Sequence, residues 1–228
     1  TSEVCMYAGY TVQRQQLIDA TLQSNFAYAN KLAKSTDDFL RSTLQQLQYT
    51  AQLMSGHMDD ATRLTDEATR LRLQTQSFNS VTIVDAQGKA LATSPEALQL
   101  KGKTLVSEGV VEALKARTPL ISQPYLSSAG NFIIFISQPI LDPQGAYLGA
   151  VGGSIYLKQE SILDHLLGAH FYQDGSYLFV VDRNKRIIYH PDNRRVGDLV
   201  PHNKAVNAVV TGQSGKALVM NSLGTDML

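Results

Sequence analysis

The chain has 228 residues, 43% of them hydrophobic, and its 20 Lys+Arg balance 20 Asp+Glu to a formal net charge of zero. These values fit an ordinary globular protein rather than a disordered or fibrous one, and the lack of a dense basic run argues against nucleic acid as a partner. The single cysteine, Cys5, allows neither an internal disulfide nor a thiolate metal site, and no run reaches the roughly 20 apolar residues of a membrane span.

From Thr11 to Ser55 there is no proline or glycine, and Ile18, Leu22, Ala29, Leu32, Phe39, Leu44, Leu47, Ala51 and Met54 recur at helical spacing. This predicts a long amphipathic helix, reaching on the order of 65 Å, whose other face carries Gln, Asn, Thr and Ser. It either lies along two stacked domains or also pairs with a second copy of itself. Gly56 ends it, and Asp59 or Asp60 caps a second helix running to about Ser77. Strands are then predicted at 80–85 and 88–93, a short helix near 110–116, and strands at 119–126, 131–140 and 147–157. Asp142-Pro143-Gln144-Gly145 is a turn signal between the last two strands. A helix at 158–167 leads to strands at 177–182 and 186–190, a helix near 203–211, and strands at 215–221 and towards 228.

Part of this pattern occurs twice, at an offset of about 96 residues. Val84-Asp85 and Val181-Asp182 each close an apolar run. A polar turn, a second apolar run, a Ser94-Pro95 or His190-Pro191 pair and Gly102 or Gly197 follow. Each copy reads as an antiparallel sheet with helices on one side, so the fold class is α+β. Aligning Ser127–Gly130 with Asn221–Gly224 leaves the second copy short of its last strand, so the chain is expected to stop inside that module.

The long helix, SVTIVDAQGKALATSP, ISQPILDPQGAYLGAVGGSIYL and GSYLFVVDRNKRIIYHPDNRRVGD together resemble the double Cache domain, the extracytoplasmic sensor of bacterial transmembrane receptors. LIDATLQSNFAYANKLA and SFNSVTIVDAQG more particularly resemble sensor regions joined to GGDEF diguanylate cyclase domains. The resemblance implies a long signalling and dimerisation helix over 1–56, a membrane-distal PAS-like module over 57–157 that holds the ligand, and a linker helix with a truncated membrane-proximal module over 158–228. It places the domain in the periplasm, anchored in the inner membrane by segments outside this chain. The expected function is a ligand sensor for a cytoplasmic diguanylate cyclase, with a chemoreceptor, a histidine kinase or a ligand-free dimerisation module as alternatives.

Nothing in the sequence looks catalytic, and no cofactor or metal is expected. The five histidines are scattered, and Gly152-Gly153-Ser154 is no nucleophile elbow, since Tyr156 stands at the closing glycine. Asp85 and Asp182 sit before hairpin turns, where they accept turn amides. Ligand candidates are Gly152, Ser154 and Tyr156 on one strand face, polar tips at Tyr125, Asn131 and Ser137, and Arg72 and Phe78 ahead of the first strand. Arg70 or Arg72 can fork onto a carboxylate, or simply lie on a solvated helix face; the glycines allow close approach of a ligand, or simply sheet packing. Amino-acid-binding double Cache domains carry an Arg-x-Trp-Tyr cluster and a last-strand aspartate. Here Ser107-Glu108-Gly109-Val110 and Ser154 stand in those places, and tryptophan is absent. The expected ligand is therefore not a typical amino acid but an organic acid or another small polar metabolite, bound by a homodimer paired through the N-terminal helix.

Overall fold

The structure, a computed structural model, describes residues 27–28, 31–32, 34–167, 176–182, 184–202 and 217–222. The expected helix before residue 27, the helix near 203–211 and the strand towards 228 lie outside the described residues. Helix α1 covers 34–54, with helical residues also at 27, 28, 31 and 32. Its buried stripe is Thr36, Leu40, Thr43, Leu47, Thr50 and Met54, alternating steps of four and three. The polar face expected to carry threonine is thus breached, because each inward hydroxyl finds a partner. Thr36 Oγ1 donates to the Leu32 carbonyl at 2.8 Å and Thr43 Oγ1 to that of Leu40 at 2.6 Å. Thr50 Oγ1 instead donates across to the Glu67 carboxylate at 2.9 Å.

Helix α2 (Ala61–Thr75) starts at Asp60, whose Oδ1 accepts from the Arg63 amide at 3.1 Å. It buries Leu64, Glu67, Ala68 and Leu71. The first sheet is six-stranded and antiparallel, built from β1 (Ser80–Asp85), β2 (Ala90–Ser94), β3 (Leu120–Ile121), β4 (Tyr125–Leu126), β5 (Phe132–Leu141) and β6 (Tyr147–Tyr156). Its order is β2-β1-β6-β5-β3, with β4 also paired to β5. The strand expected over 119–126 is split into β3 and β4, since Pro124 cannot donate to the ladder. Helix α3 (Glu108–Ala116) lies between β2 and β3 in the chain.

Alternation along the strands gives the sheet two apolar faces. Val81, Ile83, Ile134, Ile136, Val151 and Ile155 join α1 and α2 in one core cluster. Val84, Ile133, Phe135 and Ala150 join Val110 and Ala113 of α3 in another. Gln138 fastens the helix side, its Nε2 donating to the Leu44 carbonyl of α1 at 3.0 Å.

Helix α4 (Ile162–Leu167) is shorter than the expected 158–167. Ser161 starts it, with its Oγ accepting from the Leu163 amide at 3.2 Å while its own amide donates to Asp164 Oδ2 at 2.8 Å. The second sheet, three-stranded and ordered β8-β7-β9, comprises β7 (Ser176–Val181), β8 (Ile187–Tyr189) and β9 (Ala217–Ser222).

The sequence repeat is a repeat of hydrogen bonds. Asp85 Oδ1 accepts from the Gln87 and Lys89 amides at 2.9 Å, and Asp182 Oδ1 from those of Asn184 at 2.8 Å and Arg186 at 2.9 Å. The Ala90 and Ile187 amides donate to the Lys103 and Asp198 carbonyls, and the Gly102 and Gly197 amides return to the Ala90 and Ile187 carbonyls. Both returns need a left-handed residue, met by Gly102 at φ 84° and Gly197 at φ 97°. β9 departs from the sequence alignment: it pairs with β7 in the place that β6 takes beside β1, covering a strand edge whose amides and carbonyls would otherwise lack partners. Among the described residues, no helix is long and apolar enough to cross a membrane.

Candidate functional site

The face of the first sheet opposite α1 carries the groups best placed to hold a small molecule. β1 supplies Ser80 and Thr82, β5 Ile133 and Phe135, and β6 Ser154 and Tyr156. Ser107 and Val110 of the α3 turn, Leu98, Leu100 and Leu105 before it, and 127–129 after β4 close it over. No lining residue bears a formal charge. Hydroxyls therefore punctuate an otherwise apolar wall, the composition that orients a small polar ligand by hydrogen bonds.

The space left is about 30 Å³, room for a water or two and no more. Aromatic rings seated on glycines explain why. A Cβ on Gly109 would lie 2.5 Å from Tyr125 Cε1 and Oη, and one on Gly152 would lie 2.1 Å from Phe135 Cζ. On the opposite face Gly153 does the same for Phe78, with a Cβ 2.2 Å from Cδ1. The glycine pair in β6 is thus a back-to-back seat for two phenylalanines, one per face of the sheet.

Tyr125 is 5% exposed. Burial pushes its phenol up to about 12, against a smaller opposite pull from hydrogen bonds with the Ser107 side chain and the Gly109 backbone. A neutral phenol is therefore built into the fold. Because the folded value exceeds the ordinary tyrosine value of 10.0, this contribution to stability is complete below pH 10 and is lost as pH rises towards 12. Urea unfolding across that window is expected to show wild type losing stability more steeply than Tyr125→Phe; parallel curves would contradict the burial argument.

The eight ligand candidates do not gather in one place. Tyr125, Ser154 and Tyr156 line the cavity under α3. Gly152 lies beneath Phe135, and Ser137, 1% exposed, is paired with Leu120 and Gly152 in the same sheet face. Asn131 and Tyr156 line a separate cleft of about 480 Å³ towards the second sheet. Arg72 and Phe78 are on the helix side, bordering a third cavity with Glu160 and His165. There Arg72 Nε donates to Ser94 Oγ at 2.9 Å, while Arg70 pairs with Glu67. Thr82 and Phe135 also line the α3 cavity without having been singled out from sequence, and so does Ser107, noted there only as standing in the place of the family's Arg-x-Trp-Tyr cluster. Period-two alternation from Ser80 and from Ile133 would have found Thr82 and Phe135.

The family model described as a Cache domain matches residues 10–225. No curated protein sequence matches the chain. Among solved structures, the extracellular ligand binding receptor from Desulfohalobium retbaense DSM5692 superposes with a TM-score of 0.69 at 15% identity. That match covers 84% of this chain but only 39% of that one. The ligand-binding domain of the Pseudomonas fluorescens chemoreceptor CtaA in complex with L-serine gives 0.60 at 20% identity, covering 82% and 79% of the two chains. The ligand binding domain of Mlp24 with asparagine gives 0.59 at 17% identity, over 80% and 76%.

Proposed function

The chain belongs to the Cache domain family of extracytoplasmic sensor modules, and we propose that it senses a small uncharged polar molecule in the cavity beneath α3. The observation that carries this reading is the lining itself: hydroxyls of Thr82, Ser107, Tyr125 and Ser154 converge on an apolar wall with no formal charge. A zwitterionic amino acid would leave its ammonium there without a carboxylate, since Ser154 stands where amino-acid-binding family members have aspartate. The similar solved domains were obtained with L-serine and asparagine, so amino acids are the comparison against which the ligand class is tested. Entry requires Tyr125 and Phe135 to leave their glycine seats. A ligand that binds only the opened arrangement shifts the protein towards it and repacks the sheet beneath α3.

A thermal-shift screen of uncharged polar metabolites alongside the common amino acids tests this. A ligand at about 100 times its Kd should raise Tm by about 5–10 °C in a domain of this size. Ser154→Leu, which fills the cavity, should abolish the rise. A second reading, a ligand-free relay, is favoured by the cavity of about 30 Å³; shifts by no compound would decide for it, and shifts that survive Ser154→Leu would place the ligand outside this cavity.

The divisions at 1–56, 57–157 and 158–228 belong to the same proposal, with the first sheet as the sensing unit and the second as the relay. So does placement in the periplasm, anchored in the inner membrane. A diguanylate cyclase output is supported by the phrases LIDATLQSNFAYANKLA and SFNSVTIVDAQG. A chemoreceptor output is supported by the similar solved domains of Pseudomonas chemoreceptors. The coding sequence downstream discriminates them: a GGDEF signature, a methylation-type heptad bundle or a phosphorylatable histidine motif. Homodimer pairing through α1 would use the face bearing Tyr49 and Leu53, 60% and 38% exposed, because Leu40, Leu47 and Met54 are occupied within the chain.

A further inference from the structure

The largest of the three cavities described above lies between the two sheets and is independent of the sensing cavity under α3. Its first-sheet wall holds Asn131, Phe132, Tyr156 and Lys158; its second-module wall holds Arg186, Arg194 and Asp198. Two of these charges are already balanced. Arg194 grips Asp192 through Nε at 2.9 Å and Nη2 at 2.8 Å, and Asp198 accepts from Arg195 Nε at 3.2 Å. The other two are not. Lys158 and Arg186 have no carboxylate partner among the described residues. Lys158 Nζ sits over the Phe132 ring, 5.7 Å from its centroid, and Arg186 donates through Nη1 to the Gly197 carbonyl at 2.7 Å.

Among the described residues, the cleft therefore presents two positive charges without an ion-pair partner, one from each side, around a volume of about 480 Å³. That is ample for a molecule of several heavy atoms. A guanidinium with N–H groups to spare and a mobile ammonium are the donors that carboxylate or phosphate oxygens match. We propose that this cleft binds a small dianion, held by Lys158 from the first sheet and Arg186 from the second. Side-chain hydrogen bonds also cross this boundary directly. Asn193 Nδ2 donates to the Lys158 carbonyl at 2.7 Å, and Asn184 Nδ2 to Gln123 Oε1 at 3.4 Å. A dianion between the two cations ties the modules together in one arrangement. Tyr156 lines both this cleft and the α3 cavity, and the β4–β5 turn walls both, with 127–129 on one side and Gly130 and Asn131 on the other.

Calorimetric titration of the whole chain with succinate, and separately with inorganic phosphate, tests the proposal. Saturable binding of at least one is expected, weakening as salt is raised. Lys158→Gln, at an exposed side chain, should raise its Kd about tenfold or more. Arg186→Gln should act in the same direction, and Ser154→Leu should leave the affinity unchanged. Failure of both anions to bind wild type, or an unchanged Kd in Lys158→Gln, overturns the proposal. Loss of binding in Ser154→Leu would place the anion under α3 instead and overturns it equally, whereas the screen with uncharged compounds stands or falls separately.

Discussion

Gly153→Ala and Gly152→Ala are each expected to destabilise the protein by about 3 kcal/mol, the upper part of the range for overpacking a core. The added methyl has nowhere to go. On Gly153 it would fall 2.2–2.5 Å from three atoms of the Phe78 ring, and on Gly152 2.1 and 2.2 Å from Phe135 Cζ and Cε2. Both rings are 5% exposed, so neither can swing out to solvent without giving up its burial. Trimming the ring should return much of the loss, so Gly153→Ala with Phe78→Leu, and Gly152→Ala with Phe135→Leu, should be clearly less than additive in urea unfolding. If the glycines served instead to let a ligand approach, the single variants would unfold like wild type and only ligand binding would suffer.

Glu67→Ala should cost about 2 kcal/mol, because it strips partners from both helices at once. Glu67 is 7% exposed; it accepts from Thr50 of α1 and is gripped by Arg70 Nε at 2.8 Å. Without it the buried Thr50 hydroxyl loses the one bond joining α1 to α2 there. Thr50→Val in the same background should recover part of the loss, which marks the cost as an orphaned hydroxyl rather than a lost charge. Burial pushes the Glu67 carboxyl up, but hydrogen bonds from Arg70 and Thr50 and the charges of Arg70 and Arg63 outweigh it, so its pKa falls below 4.5. Its contribution is therefore present above pH 4.5 and is lost as pH falls below that value. Acid unfolding of Glu67→Gln should accordingly be shallower than that of wild type; identical acid limbs would contradict this reading of the contact.

The architecture was legible where the signal is local. Asp85 and Asp182 marked their turns, and alternating apolar residues the strands of the first sheet. What stayed hidden depends on partners distant in the chain. Thr36, Thr43 and Thr50 look like a polar face until their hydroxyls are seen bonded to α1's own carbonyls and to Glu67. Gly152 and Gly153 announce that something comes close; only the fold says that Phe135 and Phe78 do. Tyr125 and Ser154 stand out in the sequence because a polar tip in an apolar strand is conspicuous, and both line the α3 cavity, whereas Arg72 lies on the far side of the sheet. Sequence cannot say which face a residue just ahead of a strand will join.

Whether the cavity under α3 is a sensing site closed by its own rings is decided by a crystal structure of the chain saturated with the compound giving the largest thermal shift. Electron density for the ligand is predicted against Ser154 and Ser107, with Tyr125 and Phe135 moved off Gly109 and Gly152. Both rings still on their glycines, with the compound bound elsewhere, would contradict it.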